Sequence, residues 1–182
     1  REEFEQKRGS PTGNSGCEDP RLTRIGSTIY MTYTAFDGVH PTRVALSRIG
    51  VKDFAAGRFD SWSTPVVITP PEVDDKNMCL LSKKIGGQYM LLHRIGRQIC
   101  ADFLPDLDFT KGRVTRCVEI MGPRSGMWDS EKIGIAAPPL LTKEGWLLIY
   151  HGVSKTTTYR LGAALLDTKN PSIVLARTAA PI

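Results

Sequence analysis

Three apolar, strand-forming runs recur along this chain, each entered from a glycine-containing turn. Ile29-Tyr30-Met31-Thr32-Tyr33-Thr34 follows Gly26-Ser27, Tyr89-Met90-Leu91-Leu92-His93 follows Gly86-Gly87, and Leu147-Leu148-Ile149-Tyr150-His151 follows Glu144-Gly145. Tyr30, Tyr89 and Leu147 lie 59 and 58 residues apart, and a constant period of that size marks a repeat architecture. Each unit divides into four strands. The first has them near 19–25, 29–35, 43–49 and 62–69, the second near 77–85, 88–95, 97–104 and 114–121. The third has them near 137–142, 146–152, 159–167 and 172–178. Four-stranded antiparallel units in radial repetition make a β-propeller, whereas the strands of a β-sandwich do not recur in fours. The predicted class is therefore all-β, of the β-propeller type, with about three blades and a single helical turn at 51–56.

An arc of three blades leaves an apolar face open at its end. The chain is accordingly expected to belong to a longer one or to close as a homo-oligomer. Residues 1–16, charged and then rich in Gly, Ser, Pro and Asn, read as a connecting segment before a propeller domain at 17–182. Trp128-Asp129 occurs once, in a glycine-rich connection, and is not the Trp-Asp repeat signature.

The totals narrow the partners. Twenty-four basic against 19 acidic residues give a net charge of +5, which favours small anions, but the basic residues are scattered. Nucleic acid is not expected as a partner, and no run is long and apolar enough to suggest a membrane. Cys17, Cys79, Cys100 and Cys117 have no CxxC spacing, and reduced thiols in a cytoplasmic protein are the expectation. The three histidines lie far apart in sequence, so neither a metal nor an organic cofactor is expected.

The chemistry concentrates at Cys17-Glu18-Asp19-Pro20-Arg21. Adjacent carboxylates disfavour joint ionisation, so one can hold a proton as a general acid must, although the same residues also suit a solvated turn. His93 and His151 lie 58 residues apart at the ends of second strands, with Thr34 as counterpart, so both are expected to face one funnel. Either histidine could equally be a satisfied structural one. Tyr150 is read as core.

These residues resemble glycoside hydrolase family 130, the β-mannoside phosphorylases and related β-mannosidases. Cys17–Arg21 with Tyr30–Thr34 is similar to its first signature, and Asp75-Lys76-Asn77 with Ser82–Ile85 and Leu92-His93-Arg94 to its second. Trp128-Asp129-Ser130-Glu131-Lys132-Ile133-Gly134, Pro138-Pro139, Gly145–Val153, Leu165–Asp167 and Leu175–Thr178 resemble the rest, in order. The resemblance covers about residues 16–182 and implies a five-bladed propeller with its active site in the central funnel.

The resemblance also implies roles. Asp19 would be the general acid, working through a hydroxyl of the mannose ring, with inorganic phosphate as co-substrate and α-mannose 1-phosphate as the inverted product. A phosphorylase can replace the base of an inverting hydrolase with cations that hold phosphate. Arg43, Lys84, Arg94 and His151 are the expected phosphate ligands, and Glu18, Arg21, His93 and Tyr159 the expected substrate contacts. Two rivals stay open. An inverting β-mannosidase would need a second carboxylate, for which Asp37, Asp102 and Asp129 are candidates. A non-catalytic sugar-binding or assembly protein would have lost flanking blades.

Overall fold

The computed structural model describes residues 15–109, 114 and 116–182. Most of the expected connecting segment, residues 1–14, lies outside them. The first sheet contains β1 (Gly16–Ile25), β2 (Thr28–Phe36), β3 (Arg43–Gly50) and β4 (Val66–Val67) in that order. Between β3 and β4 lie α1 (Val51–Ala55) and a 3-10 turn at Phe59–Ser61. The second sheet runs β5 (Asp75–Leu80), β6 (Tyr89–Ile95), β7 (Gln98–Leu104) and β8 (Val118–Met121). The third contains β9 (Lys132–Ile135), β10 (Leu140–Leu141), β11 (Trp146–Val153), β12 (Tyr159–Leu166) and β13 (Val174–Arg177). Every pairing is antiparallel between sequence neighbours, except that β9 and β10 both pair with β11. The inner strand of the third blade therefore starts at Lys132, not near Ala137, and is interrupted. Pro138 and Pro139 fall in the interruption, where a residue without an amide proton cannot donate to the ladder.

Strand alternation stacks the blades face to face. Val44 and Leu46 of the first blade pack with Met78, Leu80 and Leu91 of the second. Met90 and Leu92, one residue out of phase with Leu91, pack instead with Trp146, Leu148, Tyr150, Ala164 and Leu166 of the third. The second sheet is thus apolar on both faces, and its inner strand β5 meets β1 on one side and β9 on the other. The repeat expected from the sequence is this all-β propeller-type stack.

Behind Lys132 a buried ion cluster fastens the third blade. The Asp129 carboxylate is fully buried and accepts hydrogen bonds from Arg124 (2.8 Å), the Tyr150 hydroxyl (2.9 Å) and Arg177 (2.5 Å). Arg124 also donates to the Thr178 carbonyl and Trp128 to that of Ala179, tying the connection from the second blade to the outer edge of the third. The Trp128 ring stacks on Tyr150 at 5.6 Å. Gly152 and Gly162 make room for it, since a Cβ at either would lie 2.6 Å from the indole.

The cysteines correct the reading of reduced thiols: Cys100 and Cys117 form a disulfide linking β7 to the segment that enters β8. Cys79 is buried as expected of a small hydrophobe.

The face of the third blade turned away from the second is uncovered. Leu140, Leu161 and Leu175 stand on it, with exposures of 64%, 46% and 51%. An apolar face of that kind associates in water. The 182-residue chain by itself is expected to self-associate, with sedimentation coefficients that rise with concentration; a monomer across the micromolar range would contradict this.

Candidate functional site

Two residues in the left-handed region build the centre. Asp19 (φ 55°) and Asn77 (φ 58°) occupy matching bulges on the inner strands β1 and β5. In β1 the bulge falls between the pairs Glu18–Thr34 and Arg21–Thr32, and in β5 between Lys76–Arg94 and Cys79–Leu92. Asp and Asn tolerate this conformation better than most side chains, because a short polar group bonds locally. Each bulge re-aims its side chain, and Asn77 Nδ2 donates to Asp19 Oδ2 at 3.0 Å. Arg21 secures the same turn. Its guanidinium donates to the Asp19 carbonyl at 2.7 Å and to the Ile135 carbonyl of β9 at 2.6 Å, so all three inner strands are joined.

Cations gather on one side of Asp19. Arg21 and Arg94 are only 7% and 8% exposed, and burial lowers the pKa of both guanidiniums, though an arginine stays charged at neutral pH. The His151 ring lies beside Gly134, where a Cβ would stand 2.6 Å from the imidazole and 2.4 Å from Asn77 Oδ1. Tyr159 lies 5.7 Å from that ring, and Lys132 Nζ sits 5.4 Å from the centre of Tyr159. Burial lowers the His151 pKa most, and Arg94, Arg21 and Lys132 lower it further against the opposing charge of Asp19, leaving it at about 4. His151 is therefore neutral here at pH 7, beside Arg21, Arg94 and Lys132. The Nε atoms of Arg21 and Arg94 and Oδ1 of Asn77 are buried with no hydrogen-bond partner among the described residues. The two unsatisfied guanidinium donors suit an anion, and the Asn77 acceptor suits a hydroxyl of a polyhydroxylated ligand.

The expected site residues divide accordingly. Asp19, Arg21, Arg94, His151 and Tyr159 come together. Glu18 lies beside them, lining a groove of about 540 Å³ between the first two blades with Phe36, His40, Thr42, Asp74 and Lys76. Three residues do not join. Arg43 starts β3 opposite Ala35, on the face of the first blade turned away from the second. Lys84 is exposed in the β5–β6 turn, over the Tyr89 ring at 4.4 Å. His93 is 1% exposed and its Nδ1 lies 2.7 Å from Asp75 Oδ2. The two histidines do not share a register: His93 has the phase of Leu91, whereas Arg94 has that of Leu92. Strand alternation puts neighbours on opposite faces, so Arg94 occupies the position in the second blade that the spacing gave to His93.

Lys132 and Asn77 were not anticipated as site residues. Both stand in segments that carry the family resemblance, Asp75-Lys76-Asn77 and Trp128–Gly134, and Asn77 also lies one 58-residue repeat after Asp19.

The carboxylates that could have served a hydrolase are engaged elsewhere. Asp37 accepts hydrogen bonds from the amides of Val39 and His40 and pairs with the His40 ring; burial acts to raise its pKa, but these partners outweigh it and hold it at about 2. Asp102 accepts from the amides of Phe103 and Arg116. For Asp129 burial also acts upward, yet Arg124, Tyr150 and Arg177 keep its pKa below the ordinary carboxylate value. Among the described residues, no group of three or more His, Cys, Asp or Glu side chains is placed to hold a metal ion.

Comparisons with known proteins identify the family. The model of glycoside hydrolase family 130, described as beta-1,4-mannooligosaccharide phosphorylase, matches residues 6–182. The chain belongs to glycoside hydrolase family 130. It is 41% identical over 172 residues to a beta-1,2-mannobiose phosphorylase of Thermoanaerobacter sp., covering 92% of this chain and 52% of the relative. A 1,2-beta-oligomannan phosphorylase of the same organism is 36% identical over 167 residues, covering 92% of this chain and 53% of the relative. The solved complex of the Listeria innocua beta-1,2-mannobiose phosphorylase with beta-1,2-mannobiose superposes with a TM-score of 0.77 at 33% identity. That superposition covers 98% of this chain and 46% of the other. This family 130 chain thus spans about half the length of the curated relatives it matches.

Two outcomes test the site. The His151 ring signal in NMR is expected to titrate with a midpoint near 4, and inorganic phosphate should move that midpoint upward. Because the folded value lies below the unfolded 6.5, His151 contributes stability that is complete above pH 6.5 and is lost as pH falls towards 4. Gly134→Ala should displace His151 and Asn77 together, so that the His151 midpoint returns towards 6.5; an unchanged titration would contradict the packing described.

Proposed function

We propose that this protein is part of a phosphorylase that cleaves β-mannosides with inorganic phosphate, releasing α-mannose 1-phosphate with inversion. The observation that carries the reading is the placement of Asp19 beside a partly buried cluster of Arg94, Lys132, His151 and Tyr159. An inverting hydrolase needs a second carboxylate to activate water. Phosphate is already an anion and needs instead to be held and aligned. Arg94 and Lys132 supply the charge, while neutral His151 and the Tyr159 hydroxyl supply hydrogen bonds that do not depend on an added proton. Arg21 holds Asp19 and adds to the positive potential.

In this scheme a phosphate oxygen attacks the anomeric carbon as the bond to the leaving oxygen breaks. The proton from Asp19, passed through a hydroxyl of the mannose ring as the family resemblance implies, ends on the leaving sugar and leaves Asp19 ionised. Asn77 fixes Oδ2 of Asp19, so Oδ1 carries the proton. Inversion requires leaving group and nucleophile on opposite sides of the reacting carbon. Lys132, His151 and Tyr159 belong to the third blade, and we assign the leaving sugar to the groove between the first two blades, lined by Glu18, His40, Asp74 and Lys76. The relatives at 36% and 41% identity are named for β-1,2 linkages, which makes β-1,2-mannobiose the first substrate to assay. We further propose that the open face of the third blade is covered in the working enzyme by another sheet or another subunit.

The decisive measurement is turnover of β-1,2- and β-1,4-mannobiose with and without phosphate. Phosphate-dependent α-mannose 1-phosphate formation is expected. Free mannose released equally in both conditions would mean a hydrolase, and binding without turnover a sugar-binding protein. Asp19→Asn keeps the shape but removes the acid and should lower kcat by about 10²–10⁴-fold. Lys132→Ala should act chiefly on the KM for phosphate.

A further inference from the structure

The bulge that presents Asn77 lies opposite His93, and the bulge that presents Asp19 lies opposite Tyr33 in the same register. The two blades solve one backbone problem with different side chains. In the first, the positions are held by Cys17 and Tyr33. In the second they are held by Asp75 and His93, whose side chains are 2% and 1% exposed and joined at 2.7 Å. Burying such a pair is not needed to make the bulge, since the first blade forms it otherwise. It is also unfavourable: desolvating a carboxylate and an imidazole costs free energy that one hydrogen bond repays only in part. Asp75 Oδ1 and His93 Nε2 are left buried without a partner among the described residues, which adds to that cost. Burial raises the Asp75 pKa, and the His93 hydrogen bond opposes it.

What distinguishes the second blade is its neighbours. Asp75 is two residues before Asn77 on β5, and His93 immediately precedes Arg94 on β6. The hydrogen bond therefore crosses between the strands at the one place where β5 carries the partner of the acid and β6 a phosphate cation. Without it, β5 and β6 keep the Asp75–Ile95 and Lys76–Arg94 backbone pairs before the bulge and the Cys79–Leu92 and Leu80–Leu91 pairs after it, but the side-chain link between the two strands beside the bulge is lost. Displacement of a catalytic contact by 1 Å is enough to cost about 100-fold in rate.

We propose that the buried Asp75–His93 pair is a positioning device that fixes Asn77 and Arg94 relative to each other, coupling the acid to the phosphate site. The proposal rests on the function given above and adds to it residues that touch neither substrate. His93→Phe, which keeps a ring but no hydrogen bond, should raise the KM for phosphate about 10-fold or more, with a smaller effect on the KM for mannobiose. His93→Asn, whose amide can replace Nδ1, should restore most of the loss. In an Arg94→Ala background His93→Phe should cost little further, because the coupling it serves is already gone. The Asn77 side-chain amide and Arg94 Nε–H signals in NMR should shift in His93→Phe and return in His93→Asn. Asp75→Asn, nearly the same shape, gives a second reading should His93→Phe fail to fold. A lower Tm with phosphate KM and both NMR signals unchanged would overturn the proposal, as would strictly additive effects of His93→Phe and Arg94→Ala. If the unaltered full chain showed no phosphate-dependent turnover, the proposed function would fall. The positioning role would still be decided by the Asn77 and Arg94 signals.

Discussion

The hydrogen bond from Asn77 to Asp19 depends on two inner strands bulging at the same height. A regular β-strand would turn the side chains at 19 and 77 alternately to one face or the other, into the packing between blades. The extra residue in each bulge breaks that alternation at one point and turns both groups inward instead. Everything else in the site is arranged around this point. Arg21 binds the Asp19 carbonyl and reaches across to β9, and Gly134 on β9 is bare so that Asn77 and His151 can approach it. The cost of two left-handed non-glycine residues, about 1–3 kcal/mol each, is borne by the close packing on either side.

Electrostatics then separates the two halves of the centre. Charges that would repel one another in one small volume are tolerated because they lie near Asp19, and because His151 gives up its proton instead of adding a further charge. That is the usual outcome when a titratable group is buried near fixed cations. An anion placed beside these groups would oppose that shift and favour the protonated imidazole. The remaining buried carboxylates show the contrast. Asp129 is caged by two arginines and a tyrosine, and its work is to hold the third blade against the connection that leads to Lys132.

Much of the fold was legible because its signal is local. Strand runs, turn glycines and the 58–59-residue period depend on neighbours in the sequence, and they located nearly every strand. Errors arose where tertiary pairing overrides local pattern. The inner strand of the third blade starts before its predicted position because Lys132–Ile135 pairs with the far end of β11, and the two prolines then interrupt it. The disulfide was missed because cysteines at 100 and 117 carry no spacing motif; pairing of β7 with β8 is what brings them together.

For the site, the sequence alone carried the resemblance to glycoside hydrolase family 130 and made Asp19 the acid candidate. Both rest on short contiguous motifs. It could not decide which face of a strand a residue takes, because a shift of one position reverses every side chain and the period varies by a residue from blade to blade. So His93 seemed the equal of His151, when Arg94 holds that place and His93 turns back towards Asp75. Lys132, though part of a family-like segment, was not singled out for a related reason: it enters the site from a strand whose start depends on pairing with β11. Only the tertiary structure, by setting bulges and register, determined which of several plausible cations meet at Asp19.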